Sequence, residues 1–352
     1  MNSSRFRLLP RLLRCLLLVS LSACGGGDHT TPPPATPTAP TTPTTPAPTP
    51  QPSTVWSISG RVISTGNSAA IGGAHITSSD LGAIDTDAQG RFAYSGTSAP
   101  PTTDAHVSIA ASGFMTRETM FWWVRGSRDV SVDLIPLAAP FSIDFYRQFV
   151  RNGYEAPGKL EPLRRWVDNP RFYVRTVDDA GKPIEPEVLA LIVGTIPRAV
   201  QSFTAGKYSA VQIEQGTETR PGTSGWINVL IKREPNSDYC GLGVIGGNPG
   251  KITLFEDICS CGSIKVPGQV VMHEVGHAMG FWHVSDRKSI MYPQASGGCP
   301  SGDLSPAEQY HTAISYSRWP GNVDPDVDVN GLYLALPTAG APAPEVFCPR
   351  PR

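Results

Sequence analysis

"VMHEVGHAMGFWH" occupies residues 271–283, and the spacing of its three histidines decides how the larger part of this 352-residue chain folds. Residues four apart on an α-helix share a face, so His273 and His277 can offer imidazole nitrogens to one ion. Glu274 neighbours the first of them and can reach a water held at the ion's fourth position. Gly280 lets the helix break through backbone angles that other residues resist, and His283 then swings back as third ligand. Three protein ligands plus one water is the open arrangement of catalytic zinc, whereas four protein ligands close a structural site. From residue 138 onward there are four histidines, and three belong to this pattern. The fourth, His311, reads as structural.

Working outward, "RFYVRTV" (171–177), "GWINVLIKR" (225–233) and "KITLFE" (251–256) read as strands. "EPEVLALIVGTIPRAVQSF" (185–203) reads as a helix with acids at its start and a bend expected at Pro197. A further helix is expected from "LSPAEQYHTAISYSR" (304–318). The region is therefore of α/β type. Beyond His283, Met291 stands in "SIMYP" (289–293), matching the Met-turn that follows the extended zinc motif in metzincin peptidases.

Residues from about 170 to 320 thus resemble a metzincin metalloendopeptidase, and "HVSDRKSIMYP" looks most like the matrixins. The resemblance implies one catalytic zinc ion held by His273, His277 and His283, and a protein or peptide substrate. Glu274 would be the general base that activates the zinc-held water. It also implies that "GNPGKITLFE" is the edge strand above the cleft, to which an extended substrate pairs, and that Tyr292 and Pro293 wall the pocket. Tyr292 and Tyr310 are the candidates for a second oxyanion donor. The sequence departs from the matrixin pattern in having no histidine between residues 107 and 272, so the second, structural zinc of that family cannot form in its usual way. Cysteines around the helix are candidates to take over its bracing role. No matrixin-type cysteine-switch propeptide is evident. "DPDVDVNG" (324–331) misplaces its glycine for a calcium loop and reads as a solvated acidic tail.

Upstream, "SISGRVIS", "GAHITSS", "RFAYSG", "HVSIAAS" and "VSVDLIP" are short alternating stretches separated by turn residues, the pattern of a small all-β sandwich. With Thr86-Asp87-Ala88-Gln89-Gly90-Arg91-Phe92 forming a turn, this region resembles the transthyretin-like domains found beside carboxypeptidases. His75 and His106 read as structural, and "MFWWVRG" (120–126) as core aromatics.

The chain starts with Arg5, Arg7, Arg11 and Arg14, then an apolar run too short for a permanent membrane span. It ends in "LSAC" (21–24), which resembles a bacterial lipobox, with Cys24 the lipidated residue and membrane anchor. Gly25 in the following position favours an outer membrane by resemblance to lipoprotein sorting. Residues 28–54 are almost entirely Thr, Pro and Ala, an extended tether. Without the first 23 residues the chain carries 25 basic and 30 acidic residues, which argues against a nucleic-acid partner. In an exported chain Cys240, Cys259, Cys261, Cys299 and Cys348 are expected to form disulfides, one of the five remaining over.

The expected organisation is a lipoprotein signal peptide (1–23), a tether (24–54), a β-sandwich (55–137) and a metzincin-like peptidase with an irregular C-terminal tail (138–352). The expected function is zinc-dependent endopeptidase at the periplasmic or cell-surface face. The alternative is a non-catalytic adhesion lipoprotein whose peptidase fold has decayed or processes only itself.

Overall fold

The computed structural model describes residues 56–97, 104–122, 126–294, 302–329 and 344–349. Its first region forms two sheets from seven strands: β1 (Trp56–Ser64), β2 (His75–Ser78), β3 (Gly82–Asp85), β4 (Arg91–Gly96), β5 (Asp104–Ala110), β6 (Arg117–Trp122) and β7 (Gly126–Leu134). One sheet has the order β4-β1-β7 and the other β3-β2-β5-β6. Inward residues of both sheets, among them Ile58, Phe92 and Val132 from the first and Ile76, Ile109 and Phe121 from the second, share one buried cluster. The turn before β4 forms because the Asp87 carboxylate accepts from the amides of Gln89 (2.9 Å) and Arg91 (2.7 Å). Gly90 completes it at φ +72°, where a Cβ would lie 2.5 Å from the Val62 carbonyl oxygen.

Among the described residues the second region holds four helices, α1 (Ile143–Arg151), α2 (Pro186–Phe203), α3 (Gly268–Ala278) and α4 (Pro306–Ser317). Its strands are β8 (Arg171–Arg175), β9 (Ile213–Gly216), β10 (Trp226–Lys232), β11 (Tyr239–Val244), β12 (Gly250–Phe255) and β13 (Glu345–Pro349). They form one sheet of order β13-β11-β12-β10-β8-β9. β12, β10, β8 and β9 run parallel, while β11 is antiparallel to β12 and β13 antiparallel to β11. Both α2 and α3 pack into the large core beneath this sheet, with Ile192, Ile196 and Val200 meeting Val271, Met272 and Val275 there. Helix α2 continues through Pro197 to Phe203 despite the backbone hydrogen bond that proline forgoes.

Three expectations need correction. "GNPGKITLFE" is not the edge strand: β12 lies inside the sheet between β10 and β11, and β11 runs over the helix. The C-terminal tail is not wholly irregular, since Glu345–Pro349 is a strand. Nor is the acidic segment solvated. Asp326 and Asp328 are buried, the former accepting from Nε and Nη2 of the Arg318 guanidinium (2.7 and 2.8 Å), the latter paired with Arg117 (3.0 Å). Burial of these carboxylates is tolerable because each is paired with a cation and further hydrogen-bonded by Asn322.

This network joins the two regions. Asp133 on β7 accepts from Arg117 on β6 (2.8 Å) and from Arg318 at the end of α4 (2.5 Å). Backbone bonds between Glu118 and residues 326 and 328 run beside it. Pro52–Arg352 accordingly form a single compact unit.

Candidate metal centre

Helix α3 carries His273 and His277 on one face, and the chain reverses at Gly280 to bring His283 back to them. Gly280 has φ +109°, and a Cβ there would lie 1.8 Å from the Arg164 carbonyl oxygen. The turn therefore demands glycine for both conformation and space. Trp166 Nε1 and Tyr316 Oη donate to the carbonyls of Ala278 (2.8 Å) and Met279 (3.0 Å), satisfying acceptors at the helix end.

The three Nε2 atoms lie 3.0 Å (His273–His277), 3.2 Å (His273–His283) and 3.2 Å (His277–His283) apart. Nitrogen ligands about 2.0–2.1 Å from a tetrahedral zinc would be about 3.3 Å from one another, so the triad fits that ion closely. Each opposite nitrogen is spoken for. Nδ1 of His273 bonds the Ile290 carbonyl (2.7 Å), that of His277 the Phe281 carbonyl (2.8 Å) and that of His283 the Glu155 carboxylate (2.6 Å). A carbonyl oxygen can only accept, so Nδ1 of His273 and His277 carries the proton and Nε2 keeps its lone pair for a metal. Burial, then the neighbouring His283, takes the His273 imidazole down to about 3. Burial likewise depresses His277 well below its ordinary value, so both rings are neutral at physiological pH, as metal ligation requires.

Glu274 is completely buried, and neither carboxylate oxygen has a hydrogen-bond partner among the described residues. Burial raises its carboxyl well above the usual carboxylate range. A divalent cation beside it would reverse that balance. Strand β11 crosses directly above. A Cβ on Gly241 would sit 2.3 Å from Glu274 Oε1, and one on Gly243 2.5 Å from His277 Cβ. These glycines let the strand backbone approach the helix at the expected metal ligands.

Met291 lies fully buried beneath the helix, where a Cβ on Gly276 would be 2.6 Å from its sulfur. The turn holding it is pinned by Glu308. One carboxylate oxygen accepts from Ser289 Oγ (2.6 Å) and the Ile290 amide (3.0 Å), and the other from the Ser305 amide (2.7 Å) as half of the α4 capping box. Because Ile290 in turn accepts from His273, Glu308 positions a ligand through the turn. Tyr292 and Pro293 follow, half-buried, with Arg287 above the Tyr292 ring. Tyr310, by contrast, packs against Gly66 after β1 and the His311 ring, which removes it as an oxyanion donor. His311 is buried and bonds the Ala307 carbonyl (2.7 Å) and Ser142 backbone, a structural role. His75, on β2, bonds Asp85 (2.6 Å) at the surface, and His106, on β5, is exposed.

Cys240 and Cys259 form a disulfide that ties β11 to the segment after β12, and Cys261 is also disulfide-bonded. Cys348 is a buried thiol, and its sulfur, a His273 nitrogen and a Glu274 oxygen all lie within 4.8 Å of one another. Cys24 and Cys299 lie outside the described residues. The sequence offered no pointer to Glu155, 128 residues from its histidine in a loop without pattern. Glu308 was also missed, although Ser305-Pro306-Ala307-Glu308 carries the spacing of a capping box that could have pointed to it.

Residues 266–307 match the Matrixin peptidase family model. Together with the histidine triad this marks a zinc metallopeptidase-like domain. No curated protein matches the chain. Among solved structures, a catechol 1,2-dioxygenase of Acinetobacter radioresistens is 14% identical over 25% of this chain and 54% of its own, with a TM-score of 0.20. A type II cohesin–X-dockerin complex from Acetivibrio cellulolyticus is 18% identical over 25% of this chain and 61% of its own, with a TM-score of 0.19. The chain thus spans less than two thirds of either, and likenesses this slight carry no weight for fold or function.

Proposed function

We propose that the chain is a zinc-dependent endopeptidase, exported and anchored by a lipid on Cys24. The observation that carries the enzymatic reading is the convergence of three Nε2 atoms, 3.0–3.2 Å apart, beside a buried carboxylate with no hydrogen-bond partner among the described residues. When bound at His273, His277 and His283, zinc supplies a Lewis acid and acidifies a water molecule. Glu274 takes the proton of the attacking water on a carboxylate oxygen as the peptide carbonyl carbon is attacked. The same oxygen hands that proton to the leaving nitrogen as the C–N bond breaks, releasing a carboxylic acid and an amine, which are a carboxylate and an ammonium after proton exchange at neutral pH. Glu155, Ile290 and Phe281 hold the imidazoles in register throughout. An extended substrate would pair along the edge of β11 that β13 holds in this structure, where the glycines of β11 bring its backbone over Glu274. Tyr292 and Pro293 are proposed as pocket wall.

The test measures zinc per chain for wild type and Glu274→Ala, and follows slow cleavage of an unfolded protein by mass spectrometry. Both proteins should hold one zinc, and the variant should cleave about 10²–10⁴-fold more slowly. A wild-type chain that binds no zinc overturns the reading. The anchor rests on the sequence around Cys24. Cys24→Ala should move the protein from the membrane to the soluble fraction, and a wild type already soluble would refute it.

A further inference from the structure

Strand β11, along which a substrate would pair, has little in its own sequence to hold it in place. Its "YCGLGV" carries Gly241 and Gly243, and glycine inside a strand adds backbone freedom without a side chain to pack. Both glycines are demanded from below, where the Glu274 carboxylate and the His277 Cβ occupy the space that side chains would fill. The height of the strand over the centre must therefore be set by other groups.

At the far end of β11 the Gly246 amide donates to the His277 carbonyl (2.9 Å), a tie to the ligand helix itself. On one side the strand is laddered to β12, with Gly241 opposite Leu254 and Gly243 opposite Ile252. On the other side the ladder with β13 slips at the near end. Tyr239 faces Pro349 and Gly241 faces Cys348, so Cys240 is an extra, bulged residue. Bulges interrupt pairing and re-aim a side chain, and they recur beside active sites. The re-aimed side chain here is that of Cys240, 1% exposed and crosslinked to Cys259.

Cys259 belongs to residues 256–267, which lead from β12 into α3. This segment is folded on itself by the Asp257 amide on the Lys265 carbonyl (3.1 Å) and by paired bonds between Cys261 and Ile264 (2.8 and 3.0 Å). The crosslink thus fastens β11, one residue before the glycine that touches Glu274, to the segment from which the ligand helix starts. A covalent bond at one end and a hydrogen bond to α3 at the other bracket the stretch over the centre.

We propose that Cys240 and Cys259 are positioning residues of the reaction: their disulfide holds β11 at the height at which an extended substrate, paired on that strand, meets the metal and Glu274. The inference rests on the zinc-endopeptidase reading and adds a requirement to it. The competent form is the crosslinked one, so the chain works only where that disulfide persists.

The experiment uses the full chain loaded with zinc, wild type and the double variant Cys240→Ser/Cys259→Ser, at a temperature where circular dichroism finds both folded. Both should hold one zinc, because the three histidines keep their partners. In the variant, kcat/KM for a peptide of about ten residues should fall about tenfold or more, chiefly through KM, while a blocked peptide of about three residues, too short to pair with the strand, should change less than about threefold. Hydrogen exchange of the β11 amides should quicken. A merely stabilising disulfide would lower the urea midpoint and leave the two peptides in their wild-type ratio. Unchanged cleavage of the long peptide, or an equal loss on both, overturns the inference and leaves the endopeptidase reading standing. So does loss of zinc, which would place the effect on the centre and not on the strand. Should the variant not fold, wild type is treated with a water-soluble phosphine, which becomes its oxide with oxygen from water and leaves two thiols. Long-peptide cleavage should then fall in step with alkylation of Cys240 and Cys259 at constant zinc content, and cleavage that persists with both alkylated overturns the inference. A wild type that binds no zinc, or binds it and cleaves neither peptide, refutes the endopeptidase reading, and the inference falls with it.

Discussion

Gly280 is where the local chemistry is least forgiving. A methyl group there meets the Arg164 carbonyl at 1.8 Å in a backbone conformation that L-residues rarely adopt. Gly280→Ala should destabilise the protein by about 3–5 kcal/mol, read from the urea midpoint, and should displace His283 as well. Glu155 acts more gently. Glu155→Gln keeps the size but weakens the bond to His283 Nδ1, and metal affinity should fall about 10–100-fold in a chelator competition while the folded structure persists. An unchanged affinity would show that the imidazole needs no anionic partner. These two residues also mark how far sequence reading reaches. Gly280 and the three histidines were legible because their roles follow from helical periodicity within thirteen residues. Glu155 was not, because its role arises only when the loop after α1 is folded against the end of the motif.

Strands β10 and β12 were legible from their apolar runs, whereas β11 escaped. Its "YCGLGV" has two glycines where a strand ordinarily carries branched side chains. The glycines are explained from the other side of the interface, by the Glu274 carboxylate and the His277 Cβ that occupy the space. Strand β13 escaped for a related reason: five residues flanked by prolines give no alternation until a partner strand defines their faces. Helix α4 and the Met-turn are coupled through one carboxylate. Glu308→Ala removes a capping box and leaves the Ser289 hydroxyl and Ile290 amide without their acceptor, all buried. A loss of about 2–4 kcal/mol is expected in denaturant unfolding, with weakened metal retention because Ile290 orients His273. Stability lost without any change in metal affinity would separate the cap from the centre.

Across the described residues, the two-sheet region and the peptidase-like region meet through a buried ionic network, and Ile135 and Met115 of the first also pack into the core of the second. Burial pushes the Asp133 carboxyl up, but Arg318 and Arg117 more than offset it and hold the group well below the usual carboxylate range. A depressed carboxyl contributes stability above its unfolded value of about 4, and that contribution drains away as pH falls below it. Asp133→Asn should therefore be less stable than wild type by about 2–4 kcal/mol at pH 7, with a deficit that narrows progressively below about pH 4, read from urea midpoints. A deficit independent of pH would mean that the ion pairs are not its source. The acidic residues of this segment resemble a surface tail in sequence because their cationic partners, Arg117 and Arg147 among them, lie far upstream.

The same network sets a limit on modularity. A shortened chain beginning at residue 138 would lose Asp133 and Arg117 at once, leaving Arg318 and Asp328 each deprived of a buried counter-charge. The N-terminal strands are thus no detachable accessory. The two parts can be inherited, transplanted or expressed only together, and a search for a minimal active fragment should begin no later than Trp56.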